Sequence, residues 1–182
     1  MTAAPVTEHA VISRLRGSGV EVDASERRTS EYAYDASNYR VRPLAVVFPR
    51  TVDDVVATVR ACADTRTPVV SRGGGTSMAG NAVGSGVVVD FSRHMNRILE
   101  IDPGAGTAAV EPGVVLATLT REVEAATGQR LTFAPDPSSK NRATVGGAIG
   151  NDACGNHSVR YGRTSDHTVE IDVVTADGAR LT

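Results

Sequence analysis

The chain has 182 residues, 41% of them hydrophobic, which is enough to bury a real core and fits one large domain or two small lobes sharing one. A formal net charge of −2 with scattered basic residues excludes a general field for nucleic acid, and two cysteines, Cys62 and Cys154, exclude a disulfide framework and four-cysteine metal or cluster ligation. No apolar run reaches the ~18 residues of a membrane span, and no basic-then-apolar leader opens the chain, so the expectation is a soluble cytoplasmic protein in a reducing compartment, with no transmembrane segment.

From Pro5 to Leu15 the spacing puts Val11, Ile12 and Leu15 on one helical face, and Gly17-Ser18-Gly19 stops it. The stretch from Glu31 to Arg42 has no clean period and gathers three of the four tyrosines, Tyr32, Tyr34 and Tyr39, around Asp35. It reads either as a loop anchored by its aromatics or as a segment facing substrate or cofactor. Leu44 to Phe48 is an apolar run closed by Pro49, consistent with a buried strand. Thr51 then looks like an N-cap, with Asp53 and Asp54 in the first turn and Val52, Val55, Val56 and Val59 at helical spacing. Pro68 permits a new strand, Val69-Val70-Ser71, which stops at Arg72-Gly73-Gly74-Gly75-Thr76-Ser77.

That β-α-β sequence places the glycine loop at the carboxyl end of its strand, where open α/β sheets bind ligands. Without Cβ atoms in the way, successive backbone N–H groups can converge on an anion, and Arg72 adds a positive charge; the loop reads as a phosphate cradle. The alternative is a flexible turn between two strands.

Beyond it, Gly86 to Phe91 is another β-branched run, and Ile98 to Ile101 and Thr107 to Val110 form two short strands around Pro103-Gly104-Ala105-Gly106. Gly104 to Ala109 matches G-x-G-x-x-A, but a strand and Pro112 follow instead of a helix, so the match is rejected. No Walker A loop exists, because the only lysine is Lys140 and no G-x-x-x-x-G-K precedes it. Val114 to Thr127 is a second amphipathic helix closed by Gly128. Ala134-Pro135-Asp136-Pro137-Ser138-Ser139 is a stiff polar loop. Thr144 to Asn156 is dense in small residues, with glycine at 146, 147, 150 and 155; this suggests backbone laid flat against something planar, and tight helix packing is the competing explanation.

His94, His157 and His167 lack the i, i+4 spacing of a helical metal pair, so no metal is expected. Cys154 reads as a small packing group, and Arg160 with Arg163 reads as solvated charge or as an attractor for a carboxylate. Val169 to Thr175, the turn Asp177-Gly178 and Ala179 to Thr182 form a hairpin whose second strand has barely begun when the chain stops, which points to a fragment of a longer chain.

Three separated motifs in order, Arg72 to Ser77, Pro135 to Ser139, and Ala143 to Gly155 followed by Tyr161-Gly162, resemble the FAD-binding domain of the vanillyl-alcohol oxidase/para-cresol methylhydroxylase superfamily. Within it, Asp90 to Ile98 and Asn141-Arg142-Ala143-Thr144 resemble the D-lactate and D-2-hydroxyglutarate dehydrogenases, including forms fused to an iron–sulfur region. The resemblance implies an α+β fold in two lobes: an N-terminal β-α-β lobe at about 43–95 and a mixed or antiparallel lobe at about 96–182, with FAD between them. Residues 1–30 would be an N-terminal helix and extension, residues 31–182 the first part of the FAD-binding domain, and the substrate-binding cap domain would be absent.

Carried over by position, Arg72, Gly73, Gly74, Gly75, Thr76 and Ser77 would hold the FAD pyrophosphate, with Met78 and Gly80 continuing the wall. Pro135, Asp136 and Ser138 would bound the flavin and ribityl region, Gly146, Gly147, Asn151, Asp152 and Gly155 would line the cofactor, and the backbone near Ile171 would meet the adenine. Members that attach FAD covalently often carry histidine where this chain has Thr76, so dissociable FAD is implied.

The implied reaction takes hydride from a D-2-hydroxy acid onto flavin N5 and passes electrons to an acceptor other than oxygen, such as a fused iron–sulfur region or a quinone chain. The groups that bind and deprotonate the acid are expected outside residues 1–182. Two other readings stay open: an NADPH-dependent flavin reductase of cell-wall precursor synthesis, and a nucleotide-binding module that does not turn over by itself.

Overall fold

The computed structural model describes residues 5–182, with side chains from residue 10 onward; whatever the N-terminal extension does before Pro5 lies outside the described residues. The chain divides into two compact units, one made of residues up to Asp90 together with Ile171–Thr182, the other of Phe91–Glu170.

The first unit is built on a four-stranded sheet in the order β1-β2-β4-β3. Strands β2 (Ala45–Val47), β3 (Val69–Arg72) and β4 (Val87–Asp90) run parallel, and β1 (Val22–Asp23) joins antiparallel to β2. Every residue of β2 and β4 is buried, as expected of β-branched strands covered on both faces, whereas β3 at the edge alternates between exposed and half-buried.

Helix α1 (Pro5–Gly17) turns Val11 and Leu15 fully inward, and it packs against a later helix, α3 (Val52–Asp64), where Arg14 Nη1 meets Asp64 Oδ2 at 3.1 Å. The short α2 (Glu26–Glu31) starts at Ser25, whose side chain accepts from Arg28 N. Thr51 caps α3 through a full capping box: Asp54 N donates to Thr51 Oγ1 and Thr51 N donates to Asp54 Oδ2.

Residues Ile171–Thr182, read from sequence as part of the second lobe, group with this unit. Their strands, β7 (Val173–Val174) and β8 (Arg180–Leu181), pair antiparallel across a turn in which Gly178 takes φ +78°. Arg60 Nη2 on α3 donates to Gly178 O at 3.3 Å, and β7 lies against the same helix.

In the second unit, β5 (Ile98–Asp102) and β6 (Thr107–Val110) form an antiparallel hairpin, and Gly104 N and Ala105 N both donate to Asp102 Oδ1 in its turn. The G-x-G-x-x-A match is therefore a hairpin turn. Helix α4 (Leu116–Thr127) ends at Gly128 in the left-handed region. Beyond it come α5 (Val145–Gly150), α6 (Ser158–Tyr161) and a 3-10 turn at Ser165–His167. Leu116, Ala143 and Ala148 form a buried cluster with Phe133, Val145 and Ala153 packed onto it.

One ion pair in this unit gives a pH-dependent expectation. Glu111 is 8% exposed, receives the Arg97 guanidinium at 2.7 Å and Arg97 N at 2.8 Å, and these hydrogen bonds outweigh burial to hold its carboxyl below the usual glutamate range. A carboxylate with a lowered folded-state pKa stabilises fully above its unfolded value, about 4.3, and loses that contribution as pH falls through the folded value. Glu111→Gln should cost about 1–2 kcal/mol at neutral pH, because it removes a charged hydrogen-bond acceptor from a buried site. Thermal melting should show the gap between variant and wild type closing on acidification; a gap that persists after the carboxylate is protonated would contradict this.

Candidate functional site

In the first unit, the edge strand β3 delivers the loop 73–77 at its carboxyl end, where Arg72 lies in register with Asp90 of β4. Gly75 sits in the left-handed region at φ +64°, a conformation that L side chains adopt only with strain. Among the described residues, the backbone N–H groups of Gly73, Gly74, Gly75, Thr76 and Ser77 donate to no protein acceptor. The carbonyl of Gly75 is engaged, accepting from Ala36 N at 3.0 Å. The Ser77 hydroxyl oxygen accepts from Ala79 N and Asn81 N, which turns the chain toward Gly80.

Arg72 is also tied within the chain. Its Nη1 donates to Tyr34 O at 2.7 Å and to Ala82 O at 3.0 Å, and its guanidinium lies over the Tyr32 ring, 4.9 Å from the centroid. A Cβ on Gly75 would fall 2.5 Å from Arg72 Nη2, so the guanidinium is folded under the loop. Arg72 acts first as an internal fastener.

The tyrosine-rich stretch from Glu31 to Arg42 is likewise ordered by the loop's surroundings. Tyr32 donates its hydroxyl to Asp90 Oδ2, and burial followed by that bond and the Asp90 charge pushes its phenol pKa up. Tyr34 carries Arg40 over its ring, and the Tyr39 ring lies where a Cβ on Gly80 would be, 2.6 Å from Cδ2. Asp35 Oδ2 accepts from Ala82 N, while Oδ1 accepts from Ser37 N and Ser37 Oγ. Burial alone would raise the Asp35 pKa, but the Ser37 and Ala82 hydrogen bonds and the Arg72 charge hold it low. Met78 is largely exposed, and Ile171 stands exposed two residues before β7.

The second unit holds the remaining expected residues. Gly146 N donates to Pro112 O at 2.8 Å, and a Cβ there would fall 2.7 Å from Pro112 Cβ, so Gly146 is explained by packing against Pro112. Thr144 caps α5 by accepting from Gly147 N, and Asn151 Nδ2 donates to Gly147 O. The run of small residues therefore begins as a short helix and not as flat backbone: Thr144 nucleates it, Gly146 lets it touch Pro112, and Asp152 at φ +43° lies just beyond its end.

Asp152 is held by Ser165 N at Oδ1 and by Arg163 Nε at 2.8 Å, and the bond from Ser165, reinforced by Arg163, lowers its pKa. Asp136, at φ +48°, receives Lys140 Nζ at Oδ1 and has His157 Nδ1 3.5 Å from Oδ2; the Lys140 bond lowers its pKa. Gly155 lies directly on the Pro135–Asp136 peptide, where a Cβ would be 2.0 Å from Asp136 O. The carboxylates of Asp136 and Asp152 face partners within the chain. Ser138 is exposed, and Pro135 and Pro137 are buried.

Cys62 is buried, which pushes its thiol up to about 11, and Cys154 is exposed; both are free. No group of three or more metal-ligating side chains occurs among the described residues, and no helix among them is long and apolar enough to cross a membrane. Asp35 lies in the stretch that the sequence offers either as an anchored loop or as a segment facing substrate or cofactor, whereas Ala36 and Ala82 carry no signal of their own in the sequence.

The profile of the FAD binding domain family matches residues 43–182. D-2-hydroxyglutarate dehydrogenase of Escherichia coli (strain K12) is 44% identical over 150 residues, covering 79% of this chain and 14% of that protein. Glycolate oxidase subunit GlcD of Bacillus subtilis (strain 168) is 39% identical over 149 residues, covering 81% of this chain and 31% of that protein. Among solved structures, p-cresol methylhydroxylase with substrate bound matches with a TM-score of 0.81 at 21% identity, covering 98% of this chain and 36% of that one, which shows the fold. The α+β, PCMH-type architecture read from the motifs is thus the fold of this chain.

Proposed function

This chain belongs to the FAD binding domain family, and from that premise we propose that it is the cofactor-holding part of a flavin-dependent dehydrogenase that oxidises a D-2-hydroxy acid. The observation that carries the proposal is the run of five loop N–H groups, Gly73 to Ser77, without a protein acceptor among the described residues. A pyrophosphate needs converging donors, and a loop with Gly75 at positive φ can supply them, so the residues present fit FAD.

In this proposal Arg72 to Ser77 hold the pyrophosphate, Met78 and Gly80 extend the wall, and the backbone near Ile171 meets the adenine. Pro135, Asp136 and Ser138 bound the flavin and ribityl region, and Gly146, Gly147, Asn151, Asp152 and Gly155 line the cofactor. When bound, FAD supplies the two-electron acceptor. The chain's own groups bind and orient: the Thr76 hydroxyl can donate to a phosphate oxygen, while the Asp136 and Asp152 carboxylates, fastened to Lys140 and Arg163, fix the backbone they carry. No residue within 1–182 is assigned as the catalytic base.

The substrate class is supported by the names of the relatives, a D-2-hydroxyglutarate dehydrogenase and a glycolate oxidase subunit. The chain spans 14% and 31% of their lengths, so the activity of the whole protein is part of the proposal. Cytoplasmic residence belongs to it too, supported by two free cysteines.

The test is anaerobic mixing of the FAD-loaded protein with D-2-hydroxyglutarate, D-lactate, glycolate or NADPH. Bleaching of the flavin by one of the acids supports the proposal. Bleaching by NADPH and by none of the acids would replace it with a reductase. Thr76 leads to a further expectation: acid precipitation should release FAD to the supernatant, and a yellow pellet after washing would show a covalent link elsewhere in the chain.

A further inference from the structure

We infer that residues 34–37 form a brace that holds the loop 73–77 in its anion-binding shape, with Asp35 and Arg72 as its positioning residues; the inference rests on the cofactor reading above. The brace lies before residue 43, where the family profile begins.

Four hydrogen bonds tie it to the loop and its flanks, and two more lie within it. Arg72 Nη1 donates to Tyr34 O at 2.7 Å and to Ala82 O at 3.0 Å, so one guanidinium joins the segment between β1 and β2 to the segment after the loop. Ala36 N donates to Gly75 O at 3.0 Å, gripping the loop at its left-handed residue. Ala82 N donates to Asp35 Oδ2 at 3.3 Å, while Ser37 N and Ser37 Oγ occupy Oδ1. Each oxygen of the carboxylate therefore has its own task. Farther along, the Tyr39 ring lies against Gly80.

A loop rich in glycine samples many conformations when free, and ordering it on binding would weaken affinity unless something else already holds it. Arg72 is fastened through Nη1 to two backbone carbonyls, so the aim of the loop N–H groups decides how well an anion is held. The brace sets that aim.

The experiment titrates FAD into wild type, Asp35→Ala, Asp35→Asn and Gly74→Val, and melts each protein without FAD. Asp35→Ala should bind FAD roughly 10- to 100-fold more weakly, the range for losing hydrogen bonds to a charged group, with little change in melting. Asp35→Asn keeps one acceptor oxygen and should recover part of the loss. If Gly74→Val weakens binding and Asp35→Ala does not, the brace is wrong and the cradle stands. If neither weakens binding, both are wrong. If Asp35→Ala lowers melting in step with affinity and asparagine rescues neither, Asp35 only holds the fold and the inference is overturned.

Discussion

FAD should bind about 30- to 1,000-fold more weakly after Gly74→Val, with melting of the FAD-free protein nearly unchanged. The residue lies within a run of five N–H groups that have no acceptor within the described chain. A β-branched side chain there blocks close approach of a phosphate and restricts the backbone of the loop. Loss of one or two contacts to a charged group corresponds to about 2–4 kcal/mol of binding free energy. The loop carries little of the buried core, which in this unit lies chiefly in β2, β4 and the inward face of α1, so stability should hold. Unchanged affinity beside unchanged melting would return the loop to a plain turn between strands.

Gly155→Ala should destabilise the second unit by about 3 kcal/mol, a value at the upper end for overpacking. The added Cβ would stand 2.0 Å from Asp136 O and 2.4 Å from Pro135 O, so it collides with backbone and not with a movable side-chain end. That backbone cannot easily retreat: Ser158 Oγ donates to Pro135 O, Lys140 holds the Asp136 carboxylate, and Asp136 already occupies φ +48°. The melting temperature should fall by about 6–12 °C for a chain of this size. Gly150→Ala is the internal control, because nothing lies within 4 Å of its added Cβ, and it should be near neutral. Equal melting of the two variants would mean that the Gly155 contact is soft.

The elements that sequence reading located were those with strong local signals. The capping pair Thr51 and Asp54, the β-branched runs of β2 and β4, and Gly128 after α4 each follow from propensity and need no distant partner. The motifs that carry the resemblance point to an FAD-binding domain, the family that the profile matches, because backbone-binding loops need glycine at fixed positions.

What stayed hidden depended on distant contacts. Nothing near Arg72 in sequence shows that its guanidinium would reach Tyr34 O, 38 positions away. The glycines at 146 and 155 are alike in their sequence surroundings, and only the fold assigns one to Pro112 and the other to the Pro135–Asp136 backbone. The grouping of Ile171–Thr182 with the first unit rests on α3, through Arg60 and Gly178, more than a hundred residues apart.

The central claim is that the free amides of the loop are the phosphate donors, and the most direct measurement is the amide proton and nitrogen chemical shifts of the isotope-labelled protein during FAD titration. The Gly73, Gly74, Gly75, Thr76 and Ser77 resonances should move together and saturate at one affinity, with the amide protons shifting downfield as they donate to the anion. Loop resonances that stay in place while the protein binds FAD would show that the pyrophosphate is held elsewhere, and would contradict the account.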